Sequence, residues 1–299
     1  MKRHSAKLTL VLATLGFISV SHADNGLSGW SVDVRGEYQQ FSNNGTTYAE
    51  TGSNKQFNVS PDFTTGYKVG LGYHVPDKDS DVEIGYRHLN TSDTSSVMGS
   101  DLWVIGGSTL GPATWAQGKS TFDYDSFDLT AGHKVKLSPS FDINYYGGLN
   151  YSHLKQELTS QGTGAGGAHF TNETGTTYDG FGPQFGIDGE CHPFDSQPGF
   201  GVFGGLNTDL LYGKTSSYSR SDNNGTRSSI GIPDENVVVP AVGAEIGLRY
   251  NFNYNTMKLG GEIGYSATEY FNVIRDNNNT NSRNNASFQG GFAGVRVTF

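Results

Sequence analysis

Beyond residue 23 the sequence has no apolar run near the ~20 residues that a membrane-crossing helix needs. Any span of a bilayer by this chain therefore has to be built from strands. Cysteine is nearly absent: Cys191 stands alone, so no internal disulfide can form. Basic residues are outnumbered, with 20 Lys and Arg against 29 Asp and Glu and a net charge of -9, which argues against a nucleic-acid partner. Apolar residues are also few, at 34%, where a soluble domain approaches half. That shortage does not mean disorder, because aromatics reach 12% and disordered chains are poor in them. A closed barrel reconciles these figures, since each of its strands shows lipid only one face.

The N-terminus is organised differently from the rest. Lys2, Arg3 and Lys7 precede an apolar run over residues 8–20, and Ser21-His22-Ala23 follows with small residues at the positions a signal peptidase reads. The run is too short for a transmembrane anchor. The expectation is a signal peptide over residues 1–23, cleaved between Ala23 and Asp24, and an outer-membrane barrel over residues 24–299.

Period-two patterning recurs along the remainder. Trp30, Val32, Val34 and Tyr38 alternate with Asp33, Arg35 and Glu37, and Phe63, Tyr67, Val69, Leu71 and Tyr73 form a stripe that leaves Lys68 on the other side. Similar stripes run through Val82 to Tyr86, Phe127 to Leu137, Phe141 to Tyr151, Phe181 to Ile187, Phe200 to Tyr212, Val238 to Tyr250, Met257 to Ala267 and Ala293 to Phe299. Pro183 and Pro240 are the weak points, because proline gives no ladder donor. Long polar stretches near 42–62, 90–121, 155–177, 213–236 and 272–286 alternate with short links near 76–80, 138–140, 191–199 and 251–256. This is the plan of a transmembrane antiparallel up-and-down β-barrel with short periplasmic turns, long extracellular loops and both termini periplasmic. The pattern predicts ten strands, or twelve if Leu102-Trp103-Val104-Ile105 adds a hairpin. A secreted β-sandwich is the rival, but it needs no such alternation of loop length. The C-terminal Phe299, after alternating apolar residues, looks like a signal read by barrel-assembly machinery.

The inward positions carry both charges in near balance. The pore-lining candidates are Arg35, Lys68, Glu83, Arg87, Asp128, Lys134, Asp188, Asp209, Glu245, Arg249, Glu262 and Arg296. About eight strands are filled by their own side chains, so ten predict a narrow path crossed by charge pairs. Asp77, Asp79, Asp81 and Glu83 lack the glycine and the terminal acid of a calcium loop, and Cys191-His192 is too small for structural zinc. No cofactor or metal is expected. His74, His88, His133 and His153 lie on strands and Asp123 and Asp125 could form a carboxylate pair, yet nothing in the sequence brings a histidine or serine to those acids at a recognisable spacing, so the chain is read as a non-enzyme.

Several segments resemble the Legionella-type major outer membrane protein family. They are 81–89, 124–137, 181–189, 199–213, 238–253 and 264–274, spread over most of the chain and falling mainly on predicted strands. The resemblance implies location in the bacterial outer membrane and a porin-like role, passing ions or small hydrophilic solutes. The alternative is a surface anchor whose loops bind partners. Expected partners are outer-membrane lipid, the assembly machinery, small solutes or ions, and a second copy of the chain.

Overall fold

The computed structural model describes residues 29–43, 45–75, 78–106, 108–194, 199–275 and 282–299. The predicted leader, with Ala23 and Asp24, lies outside these residues, as does Asp77. The described chain is almost wholly strand: β1 Trp30–Ser42, β2 Thr47–Thr51, β3 Gln56–Asn58, β4 Phe63–Val75, β5 Ser80–Ile105, β6 Thr109–Ser138, β7 Phe141–Gly164, β8 His169–Cys191, β9 Phe200–Asn223, β10 Thr226–Tyr254, β11 Met257–Arg275 and β12 Arg283–Thr298.

One antiparallel sheet of twelve strands closes on itself. Among the described residues its ring has ten strands, in the order β1, β4, β5, β6, β7, β8, β9, β10, β11, β12, and β12 returns to β1 through Val34↔Val295. The other two strands, β2 and β3, form a hairpin hung from the end of β5 by Ala49↔Val104. The stretch 102–105 adds no hairpin of its own, as it is the tail of β5.

The period-two stripes become the outer wall. Val34, Tyr67, Ile84, Leu129, Tyr145, Phe185, Ile246, Ile263 and Val295 are all exposed large apolar side chains. In water such a surface would be untenable, whereas lipid is its natural solvent. The alternate positions hold Arg35, Lys68, Glu83 and Glu262 inside. Pro183 and Pro240 sit on the outward parity. At Pro183 the β8–β9 ladder skips from Phe181↔Tyr212 to Gln184↔Asp209, while Pro240 stays in register with Leu210.

Three stretches expected as long loops are corrected by the structure. Residues 90–121, 155–177 and 213–236 are mostly continuous strand, and β6 alone spans 30 residues. Thr, Ser and Gly dominate them, and a backbone ladder with a register shift at places such as Met98/Leu102 and Ile232/Glu235 sustains the sheet without an apolar stripe. The true turns are brief. Asn224 and Gly225, both at positive φ, close the β9–β10 hairpin in the two-residue form that favours Asn-Gly. Strands β5 to β10 thus rise as a tall wall beyond the apolar band, which itself needs only ~9–11 residues per strand. Strands β1 and β4 stop low, at Ser42 and Phe63, and the β2–β3 hairpin folds in above them.

Two glycines permit that inward fold. A Cβ on Gly118 would collide with the ring of Tyr48, and one on Gly162 with the side chain of Val104. Bare backbone at these places lets the hairpin and the β5 tail pack against the inner wall.

Candidate functional site

The lumen is divided across its axis. The half nearer the chain termini is a cavity of about 1140 Å³. Eleven of the twelve candidate charges line it, and Glu262 lies just behind the surface as a buried acid.

Most of these charges are paired. Arg35 on β1 reaches Glu245 of β10 and Glu262 of β11, each at 2.7 Å. Glu262 also accepts from Arg249 at 2.8 Å, and Arg249 reaches Glu190 on β8 at 3.0 Å. Five charges thereby form one chain along the wall. Their guanidinium faces lie on aromatic rings, with Arg35 3.9 Å from the centroid of Phe292 and Arg249 4.6 Å from that of Phe203. Arg87 bonds Glu37 at 2.8 Å, Arg296 bonds Asp33 at 3.1 Å and Lys134 bonds Asp142 at 3.0 Å. Arg35, Glu37 and Glu262, the most deeply buried of these charges, need such compensation, so their pairs are a condition of the fold as much as a lining. Lys68, Glu83, Asp128, Asp188 and Asp209 are different: among the described residues, none has an ion-pair partner within 4.0 Å.

The cavity ends at an apolar septum. Phe41, Leu89, Phe122, Tyr124, Leu154, Tyr178, Leu211, Val239, Ala241, Tyr270 and Phe288 form one buried cluster, with every ring strand except β4 contributing. Phe41 and Phe122 stack with centroids 3.9 Å apart. Tyr124 and Tyr270 share a hydrogen bond of 2.8 Å, and Tyr270 meets Ser152 at 3.0 Å. Strands β6 and β11 are diametrically opposite in the ring of ten, so the tyrosine pair spans the lumen. Only Tyr124 and Tyr270 of this cluster also line the cavity.

Beyond the septum lies a second apolar cluster. It joins Tyr48, Ala49 and Val59 of the inward-folded segment to Leu102, Val104, Leu158 and Phe170. Asn172 on β8 fixes the β5–β6 tip, donating to the carbonyls of Val104 at 3.2 Å and Ser108 at 2.9 Å.

The septum is the feature that sequence reasoning missed, although a signal was present. In β6 the outward apolar stripe has odd numbers from Phe127 to Leu137, whereas Phe122 and Tyr124 are even. The same reversal sets Leu154 and Leu158 against the odd stripe of β7, and Phe288 and Phe292 against that of β12. A change of apolar parity within one strand marks where side chains begin to fill the lumen.

The histidines lie away from the cavity's centre. His88 and His153 are on the outer wall, bound to Asp125 at 2.8 Å and Asp179 at 2.7 Å. Tyr86 and Tyr151 donate to the same two carboxylates. His74 pairs with Asp81 at the cavity mouth, and no cluster suited to holding a metal occurs among the described residues.

A closed antiparallel ring with an apolar outer wall and an ion-paired lumen defines a membrane-spanning β-barrel. The profile of the Legionella pneumophila major outer membrane protein precursor family matches residues 27–299, and the chain belongs to that family. It is an outer-membrane barrel. No curated protein matches the sequence. Among solved structures it is similar to the outer membrane protease OmpT from Escherichia coli, at 13% identity and a TM-score of 0.46 over 90% of this chain and 96% of that one. A major outer membrane protein from Thermus thermophilus shares 13% identity, with a TM-score of 0.37 over 75% of this chain and 98% of that chain. The Pseudomonas putida toluene transporter TodX shares 8%, with a TM-score of 0.33 over 92% and 90%.

Proposed function

We propose that the protein passes ions and small hydrophilic solutes through its lumen, and that the structure is the closed state of this pore. The observation that carries the reading is the charge-lined cavity of about 1140 Å³ in one half of the barrel. A barrel serving only as an anchor has no need to keep so large a polar space inside, since ten strands could fill much of it with side chains. In this reading the short-turn end and both termini face the periplasm, the tall wall faces outward, the leader ending at Ala23 directs export, and Phe299 serves assembly. Catalysis is not part of the reading. The two His–Asp pairs on the outer wall face outward, with no nucleophile beside them in a water-excluding pocket among the described residues.

Conduction requires the septum to part. Refolded protein in a planar bilayer should therefore give rare, small current steps, and the double variant Phe122→Ala/Phe288→Ala should give larger and more frequent ones. Silence from both folded proteins would overturn the pore. A second reading then gains weight from one observation: the tall polar wall of β5 to β10 is a large surface standing clear of the apolar band, suited to binding partners.

A further inference from the structure

Two short patterns recur on neighbouring strands of the outer wall. A tyrosine stands two residues before a histidine on β5 (Tyr86, His88) and again on β7 (Tyr151, His153). An aspartate stands two residues before a phenylalanine on β6 (Asp125, Phe127) and again on β8 (Asp179, Phe181). The ladders bring these patterns into register across the four strands. An apolar row through Ile84, Leu129 and Leu149 is followed by the row of tyrosine and phenylalanine rings, and then by the row of histidines and aspartates. Such a band of aromatic rings marks the border between hydrocarbon and headgroups. Strands tilt by ~35–45°, so the ionisable row climbs obliquely through that border.

The ionisable row is built as two like units. Asp125 Oδ1 is 2.8 Å from His88 Nδ1 and accepts from the Tyr86 hydroxyl at 2.6 Å. Asp179 Oδ1 is 2.7 Å from His153 Nδ1 and accepts from the Tyr151 hydroxyl at 2.9 Å. These bonds orient the side chains and leave Oδ2 of each aspartate and Nε2 of each histidine without a hydrogen-bond partner among the described residues. All four side chains stay partly exposed on the lipid-facing wall. Lys214, in register with Asp179, is drawn to Asp234 at 2.6 Å and does not cap the end of the row. Successive positions lie ~5 Å apart and alternate carboxylate with imidazole. A headgroup that carries an ammonium and a phosphate on a short bridge complements this order. Its N–H groups reach a free Oδ2, and its phosphate meets the neighbouring imidazole, which donates from both nitrogens in its protonated form. A choline headgroup has no N–H to donate, and an anionic glycerol headgroup sets no cation against the carboxylates.

We infer that the two Tyr–His–Asp units, on β5–β6 and on β7–β8, each bind the headgroup of an ethanolamine phospholipid. The occupant follows from the setting, since lipid is what this wall meets at the border of the apolar band. The inference needs neither passage through the lumen nor a particular orientation of the barrel, so it and the pore reading fail separately.

Native mass spectrometry of the refolded full barrel in detergent tests it, with phosphatidylethanolamine, phosphatidylcholine and phosphatidylglycerol added in equal amounts. Up to two ethanolamine-lipid adducts are expected, at least threefold more abundant than those of either other lipid. Asp125→Asn/Asp179→Asn should reduce them to the choline level, and Asp179→Asn alone should leave one. Asp222→Asn on the strand extensions should change nothing. Should the double variant misfold by its heat-shifted mobility on gels, the single variant takes its place. Equal adducts of all three lipids, a preference for the glycerol lipid, or an ethanolamine excess that survives these substitutions would overturn the site.

Discussion

At the residue scale, Glu262 holds the lumen network together. It is bonded by two arginines, and its side chain is 2% exposed. Glu262→Gln keeps the shape but leaves Arg35 and Arg249 short of countercharge. Breaking a buried pair in this way costs about 3–5 kcal/mol. Denaturant unfolding of the refolded barrel in lipid vesicles should register a loss of that size, whereas a change within error would mean that water already screens these charges. A different acid acts at the rim. Glu235, exposed on the β10 extension, is held below the ordinary carboxylate range by its hydrogen bond from Arg283 and that residue's charge, with Arg275 adding to it. A depressed carboxyl stabilises the fold above its unfolded pKa and loses that contribution as pH falls through its folded value. Acidification should therefore loosen the β10–β11–β12 rim before the ring. Hydrogen exchange, corrected for its intrinsic pH dependence, reads this at residues 226–236 and 268–275, and Glu235→Gln should remove the pH effect.

At the element scale, the parts of the fold that were legible are those fixed by contrast with lipid. The stripe from Phe63 to Tyr73 had to face outward and Lys68 inward, because a one-residue slip exchanges every side chain between the two faces. Arg35 and Glu262 were legible as inward-facing, but not as partners, since 227 positions separate them and only closure of the ring through β12 joins them. The strand extensions were illegible for another reason. Once a strand leaves the bilayer its outer face meets water, and its inner face buries small polar side chains such as Gln156 and Ser160 beside apolar ones such as Leu158, so the period-two signal fades although the ladder continues. Residues 47–58 were likewise read as loop, because their burial against Gly118 depends on the shape of the barrel. Gly118→Leu tests that dependence. It should expel Tyr48 and free the β2–β3 hairpin while the ten-strand ring stays closed. Limited proteolysis should then cut within residues 43–62, where the unaltered protein resists, and the heat-shifted gel mobility should persist. Loss of both together would show that the hairpin is needed for the ring itself.

At the scale of the whole molecule, the two ends of the barrel are unlike. The short-turn end opens into the polar cavity and carries Cys191, the single cysteine of the sequence, half-buried at the end of β8. The other end rises into the wall of extended strands, with the Asn224-Gly225 turn among its tips. Long, hydrophilic extracellular segments and short periplasmic turns are the rule for outer-membrane barrels. The same orientation would open the cavity toward the periplasm and place the septum and the inward-folded hairpin between it and the exterior. Thiol labelling decides the orientation. A membrane-impermeant maleimide should leave Cys191 untouched on intact cells and modify it once the outer membrane is opened. In a Cys191→Ser background, Asn224→Cys should label on intact cells at once. The reverse pattern would turn the barrel over, opening the charged cavity to the outside and making the tall wall a periplasmic surface.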